Sequence, residues 1–179
     1  GKEAGKIVGE IYDKLSIGQS EIEIANIVKF ELGKRNINSV VTLVAADERI
    51  AKFRHPIPTE NVWKKVLMIV VCAKRDGLIA SLSRIFSVGK VSGDLRKRTD
   101  AVAKVHAQMM HSTRPNVTGK EIFAVTKNAY SDVGFAGEEL KHHQGGACGY
   151  KTRDWVAHSQ NNEQVFVNQT FAFNPSING

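Results

Sequence analysis

The chain has 179 residues, 42% of them hydrophobic, and a formal net charge of +7. That length allows one globular domain with a real core, built from two halves. No run approaches the roughly 18 apolar residues of a membrane span, and no charged-then-apolar signal peptide opens the chain. The two cysteines, Cys72 and Cys148, give neither a disulfide framework nor a metal spacing, which points to reduced thiols in a cytoplasmic protein. The positive charge would suit nucleic acid, but the basic residues are scattered. The densest run, Lys90 to Lys104, is interleaved with Asp94 and Asp100 and reads as a solvated helix face. No aromatic-basic alternation offers bases a stacking surface, so neither nucleic acid nor membrane is an expected partner.

In chain order, Ala4–Leu15 carries Ile7, Val8, Ile11 and Leu15 at helical spacing. Ser20 with Glu23 three residues on is a capping box, opening a helix through Ile24, Ile27, Val28 and Leu32 to near Gly33. Ser39–Ala45 is rich in β-branched residues and predicts a strand. Val66–Cys72 and Leu78–Val88 flank Asp76-Gly77, the signature of a tight hairpin. A helix over Leu95–His111 stops at Arg114-Pro115. Thr118 and Glu121 repeat the capping box before a helix to Asp132, and short strands are expected around Gly146–Lys151, Gln164–Val167 and Gln169–Phe173. If the segment at His142-His143 is extended, the two side chains point in opposite directions.

The two capped helices share a faint repeat, Glu23-Ile-Ala-Asn-Ile-Val and Glu121-Ile-Phe-Ala-Val-Thr, offset by 98 residues. The chain opens in mid-helix pattern and ends on Asn174-Pro-Ser-Ile-Asn-Gly. The expectation is a single domain over 1–179, the C-terminal piece of a longer protein.

Five segments, in the order Leu15-Ser-Ile-Gly-Gln-Ser-Glu, Arg54-His55-Pro-Ile-Pro-Thr, the hairpin Val66–Gly89, Gly145-Gly-Ala-Cys-Gly-Tyr-Lys-Thr-Arg-Asp and Phe171-Ala-Phe-Asn-Pro, resemble the pita-bread metallopeptidases, with aminopeptidase P and prolidase the nearest. The resemblance implies an α/β (α+β) pita-bread fold, two pseudo-symmetric halves around a curved, mainly antiparallel sheet. It also implies a norm of two divalent metals such as manganese, cobalt or zinc. In that family the hairpin carries two metal-binding aspartates, and the matching positions here are Val70 and Ser81. The metal-binding histidine of the Gly-His motif corresponds to Gly146, and a bridging glutamate before proline to Asn174; the fifth ligand would lie beyond Gly179. Hard divalent cations need anionic oxygens, so the expected cofactor is none. A register shift of three would place His143 at the histidine position and still leave one ligand.

What the resemblance leaves is the organic part of the site. His55 matches the substrate-contacting histidine, which is the proton shuttle in metal-free creatinase. His142 matches another active-site histidine, and Arg153 replaces a third. His55, His142 and Arg153 are thus the catalytic candidates, suited to acid–base work near neutrality; His55, His143, Asn174 and Ser81 are the substrate-binding ones. For His55 a turn histidine beside two prolines is the structural alternative, and for His142-His143 a solvent-facing pair. Cys148 as a nucleophile has no supporting spacing and reads as a small buried residue beside glycines. Three functions follow: an Xaa-Pro aminopeptidase-like domain that has lost its metals and binds a peptide or partner; a metal-independent creatinase-like hydrolase using His55; or an active Xaa-Pro aminopeptidase. A metal-free site lacks the activated water of the third. The expected ligand is a peptide or small carboxylate-bearing molecule, and a homodimer through the full-length protein is left open.

Overall fold

Asp76 and Gly77 take φ of +52° and +82°, as the two central residues of a hairpin turn matched to strand twist require. The strands they join are β2 (Val66–Arg75) and β3 (Leu78–Ser87), and β1 (Asn38–Ala46) pairs antiparallel with the other edge of β2. The structure, a computed structural model, describes residues 1–178, which divide into two units, Gly1–Val91 and Ser92–Asn178.

In the first unit, alternation along β2 sends Leu67, Ile69, Val71 and Ala73 to one face, where they are buried. There they join Val44 and Ala46 of β1, Val8 of helix α1 (Lys2–Glu10), and Ile24, Val28 and Leu32 of helix α2 (Glu21–Gly33), with Trp63 in the same core. Each Val, Leu or Ile among them contributes about 1.5–3 kcal/mol by leaving water. The helix predicted over Ala4–Leu15 is α1 followed by a 3₁₀ turn at Ile11–Lys14. The capping box of α2 is complete: Ser20 Oγ accepts from Glu23 N at 3.2 Å and Glu23 Oε2 accepts from Ser20 N at 2.7 Å. Between β1 and β2 stands a five-residue helix, α3 (Glu48–Lys52), too short to leave a periodic signature in sequence. Asp47 before it has φ +54°, and its carboxylate accepts from the backbone N–H of Lys64, Lys65 and Val66, pinning the start of β2.

The second unit holds α4 (Gly93–Ser112), α5 (Gly119–Asp132) and a two-stranded antiparallel sheet of β4 (Gly145–Cys148) and β5 (Thr170–Phe173). Val105 and Met109 of α4 meet Ala129 and Tyr130 of α5 in one core cluster; Ile122 packs with Ala157 and Val165 in another. The antiparallel pairing expected of the sheet is thus found in both units, in two separate sheets. β4 is shorter than the predicted Gly146–Lys151. The strand predicted at Gln164–Val167 does not form: Gln164 makes a single bridge to Thr118, because the segment before it is used to complete a helix end.

That helix end reveals the internal repeat. In the first unit Glu21 N and Ile22 N donate to Asn61 O and Thr59 O, and Ser20 bridges Val62. In the second, Gly119 N and Lys120 N donate to Glu163 O and Asn161 O, and Thr118 bridges Gln164. Each α-helix thus has first-turn donors, which no helical carbonyl can reach, satisfied by a returning loop. The loops match too: Asn61 N donates to Thr59 Oγ1 as Glu163 N donates to Asn161 Oδ1.

Candidate functional site

In the second unit, Asn174 follows β5 directly, and its backbone N–H donates to Gln144 O at 3.1 Å, so the end of the β4–β5 pair fixes where its amide lies. Arg153 Nη2 donates to Asn174 Oδ1 at 2.8 Å. A guanidinium has no acceptor, so the atom facing it is the oxygen and the amide nitrogen lies on the other side. There Nδ2 is 3.0 Å from His143 O and 3.0 Å from His142 Nε2. The NH₂ group has two hydrogens and one goes to each. His142 Nε2 is therefore the acceptor, which places the hydrogen of the neutral ring on Nδ1.

Gln144 beneath them is fully buried. Its Nε2 donates to His142 O at 2.9 Å and Glu139 O at 3.2 Å, and its Oε1 accepts from Tyr130 Oη at 3.0 Å. With both amide hydrogens so committed, the 3.4 Å approach of Nε2 to His142 Nδ1 is a contact rather than a bond. Tyr130, also fully buried, accepts from Ser176 N at 2.8 Å, tying the segment after β5 to α5. The His142 and His143 rings stand 5.5 Å apart at an interplanar angle of 37°, so they do not diverge as an extended segment would make them. The chain bends there before entering β4.

Gly146 is enclosed by backbone. Asp154 N donates to Ala147 O at 2.8 Å and Ala157 N to Gly145 O at 2.9 Å, laying Trp155–Val156 along β4 between the two bonds. A Cβ at Gly146 would come 2.2 Å from Trp155 O and 2.9 Å from Val156 Cα, so no side chain fits without moving that segment. Cys148 is buried, its Sγ 3.9 Å from Thr170 Oγ1.

In the first unit, β2–β3 register pairs Val70 with Ser83 and Cys72 with Ser81. Val70 and Ser81 thus share the half-buried face of the sheet opposite the core, offset diagonally, with Ser81 Oγ 3.3 Å from Cys72 Sγ. His55 is exposed and follows Arg54 into the buried Pro56. Within the second unit the structure joins His142, the His143 carbonyl, Asn174 and Arg153 in one hydrogen-bonded cluster; within the first, Ser81 lies on β3 and His55 on the loop between α3 and β2.

Three residues with a part in these arrangements were not singled out from sequence. Gln144 and Tyr130 carry the His142 segment. Glu21 is fully buried and accepts from Ala46 N at 2.9 Å, Arg49 Nε at 3.0 and 3.1 Å, Thr59 N at 3.0 Å, Thr59 Oγ1 at 2.9 Å and Asn61 Nδ2 at 3.2 Å. With Arg49 Nη2 donating to Ile57 O at 3.0 Å, it anchors the loop that carries His55. A signal existed: Glu21 lies three residues before Ile24 and seven before Val28, on the buried stripe of α2.

Chemically, the group in the cluster that can hold an anion is the Arg153 guanidinium, kept in place by its bond to Asn174 Oδ1. Proton transfer at His142 Nε2 requires Asn174 to let go of it first. Among the described residues, no group of three or more His, Cys, Asp or Glu side chains is placed to share a metal ion, and no helix is long and apolar enough to cross a membrane.

Comparison with known proteins places these features. The profile of metallopeptidase family M24 matches residues 1–178. Among solved structures, the chain is similar to an X-Pro aminopeptidase from Thermotoga maritima (TM-score 0.80, 19% identity, 94% of this chain and 49% of that one). It is likewise similar to a prolidase from Pyrococcus furiosus (TM-score 0.81, 16% identity, 94% and 51%) and a methionine aminopeptidase from Rickettsia prowazekii (TM-score 0.76, 14% identity, 94% and 72%). The chain spans about half the length of the first two, and at these identities the likeness is one of fold. No curated protein matches the sequence significantly.

Proposed function

The chain belongs to metallopeptidase family M24, as an Xaa-Pro aminopeptidase- and prolidase-like domain of pita-bread fold, and from that premise we propose that it is a pseudo-peptidase. In this reading residues 1–179 are one domain of a longer protein, the dinuclear metal site is gone, and the domain binds a peptide or a partner's chain end that it does not cleave.

The observation that carries the reading is at Gly146, the position corresponding to the family's metal-binding histidine, where Trp155 O stands 2.2 Å from the place of a Cβ. The other matching positions agree with it. Val70 has no ligating atom, Ser81 offers a neutral hydroxyl, and Asn174 a neutral amide already engaged by Arg153 and His142. Such a donor set does not suit a pair of divalent cations, which need carboxylates to balance their charge. Arg153, held by its bond to Asn174 Oδ1, supplies a fixed positive charge instead, which suits a carboxylate. Binding is favoured over catalysis because the imidazole nitrogen is held by Asn174 and because metal-free water is a poor nucleophile at neutral pH.

The test has two arms. After incubation with manganese, cobalt or zinc and dialysis, elemental analysis is expected to find far less than the about two equivalents of a dinuclear enzyme; finding them overturns the proposal. Calorimetry with Xaa-Pro dipeptides is expected to show binding without hydrolysis products. Arg153→Lys, which keeps the charge and loses the fork, should weaken it by about tenfold, or about 1.4 kcal/mol. Turnover, or no effect of Arg153→Lys, contradicts the reading.

A further inference from the structure

β5 carries two aromatic side chains, Phe171 and Phe173, stacked with centroids 5.6 Å apart at 26°, while Asn174, the next residue, turns to His142 and Arg153. Phe171 is met edge-on by Trp155 at 5.5 Å, and Phe173 by His106 of α4 at 6.5 Å. Beside this aromatic pair lies a groove of about 450 Å³ between the last turns of α4 and the turn that precedes β5. Its lining includes His106 and Met110 of α4, Phe166 and Val167 of the turn, and Phe171 and Phe173 of β5.

Two details set this groove apart from ordinary surface. The first is its mouth. Met110 of α4 is 52% exposed, and Phe166 and Val167 are 63% and 72% exposed at a turn, where polar residues are the rule. That turn is tied, not loose: Asn168 takes φ +64°, and Gln169 Oε1 accepts from Phe166 N at 3.1 Å. The apolar pair is thus held out at the mouth by the turn's own polar residues. The second is charge. In a chain of net charge +7, no Lys, Arg, Asp or Glu lines the groove. Its one titratable group is the half-buried His106, whose pKa is pushed below the ordinary value by loss of solvent.

We propose that this groove is a second binding site, distinct from the His142–Asn174–Arg153 cluster, for an uncharged small molecule with an aromatic body and one hydrogen-bonding group. Its volume lies within the about 300–1,000 Å³ of small-ligand sites, and such sites pair apolar walls with few polar groups. Phe166, Phe171 and Phe173 offer ring faces and edges to an aromatic guest, and the His106 ring, Thr113, Asn168 and Gln169 the polar end. A charged guest would give up water for walls that hold no opposite charge. The inference does not depend on the pseudo-peptidase reading, since it rests on Phe171, Phe173 and the groove beside them and not on Gly146, Asn174 or Arg153.

The probe is benzyl alcohol, with benzoate and benzylammonium as charged counterparts of the same shape, titrated into the full chain and followed by amide chemical shifts. Saturable shifts are expected at His106, Met110, Phe166–Gln169, Phe171 and Phe173, with both charged counterparts weaker by at least about tenfold. Met110→Ser and Phe166→Ser, at exposed positions that leave the core intact, should each weaken benzyl alcohol several-fold. Shifts that never saturate or scatter over the surface overturn the proposal, as does benzoate or benzylammonium binding equally well. Concentration-dependent shifts at the same residues without any probe overturn it in another way, by assigning the groove to a second copy of the chain.

Discussion

Replacing Glu21 tests whether one buried carboxylate organises the first unit. The side chain is fully buried and takes bonds from Ala46 N, Arg49 Nε, Thr59 N, Thr59 Oγ1 and Asn61 Nδ2. Glu21→Ala leaves two backbone N–H groups and a guanidinium, itself mostly buried, without their acceptor. Breaking a buried ion pair from one side costs about 3–5 kcal/mol, and orphaned donors about 1–3 kcal/mol each where water cannot reach them. These terms overlap, and relaxation of the exposed loop recovers part, so about 4 kcal/mol is expected. At about 2–4 °C per kcal/mol for a chain of this size unfolding as a whole, its transition should fall by about 8–16 °C. Glu21→Gln keeps the volume but turns an NH₂ toward donors on one side, and about half that loss is expected. The assay is thermal and urea unfolding followed by tryptophan emission, because Trp63 is buried in the first unit and Trp155 belongs to the second. The Trp63 signal should move and an early loss of order should spread through the loop carrying His55. A Glu21→Gln variant within about 0.5 kcal/mol of the parent, the range of an ordinary surface change, would refute the reasoning.

Gly146→Ala should destabilise the second unit by about 1–3 kcal/mol through overpacking against Trp155 O, whereas Gly149→Ala, whose Cβ would meet only Asp154 Oδ2 at 3.7 Å, should be tolerated; paired denaturation curves check both. Asn174→Asp puts an acceptor opposite His142 Nε2 and should move the ring hydrogen from Nδ1 to Nε2, read directly from imidazole nitrogen shifts; an unchanged tautomer contradicts the assigned network. Glu121 is held below its ordinary value of 4.5 by the Thr118 side-chain and backbone bonds. Its contribution to stability is therefore complete above about 4.5 and lost as the pH falls through the lower folded value. Thr118→Ala should accordingly unfold earlier than the parent at neutral pH, with the gap narrowing in acid; a gap that stays constant with pH argues against the capping carboxylate as its source.

Sequence made legible whatever depends on neighbouring residues. Asp76-Gly77 announced the hairpin because an L-residue and a glycine with positive φ are what its turn demands, and both capping boxes formed with the residues expected. The repeat was visible only as two matching helix starts, since the hydrogen bonds that give it meaning come from loops about 40 residues away in each unit. The same remoteness explains the misses. Gln164–Val167 is β-prone, but its neighbours spend their carbonyls on the first turn of α5, and that use outweighs the propensity. Glu21 sat on the apolar stripe of α2, where its partners, Thr59 and Asn61, lie too far along the chain to be inferred. At the candidate site, the residue types at 142, 153 and 174 were readable, whereas the amide orientation and imidazole tautomer exist only through their mutual geometry.

Gly146 also bears on what a substitution can supply. A side chain absent from a site is ordinarily supplied by a single codon change while its space stays open. At this position the space is occupied by main chain, and main chain tied on both sides of the gap by Asp154 N and Ala157 N does not yield to a substitution elsewhere in the motif. Placing a histidine there would require rerouting Trp155–Val156 first. On the pseudo-peptidase reading proposed above, the backbone therefore acts as a lock: a single substitution at Gly146 does not by itself supply the missing imidazole.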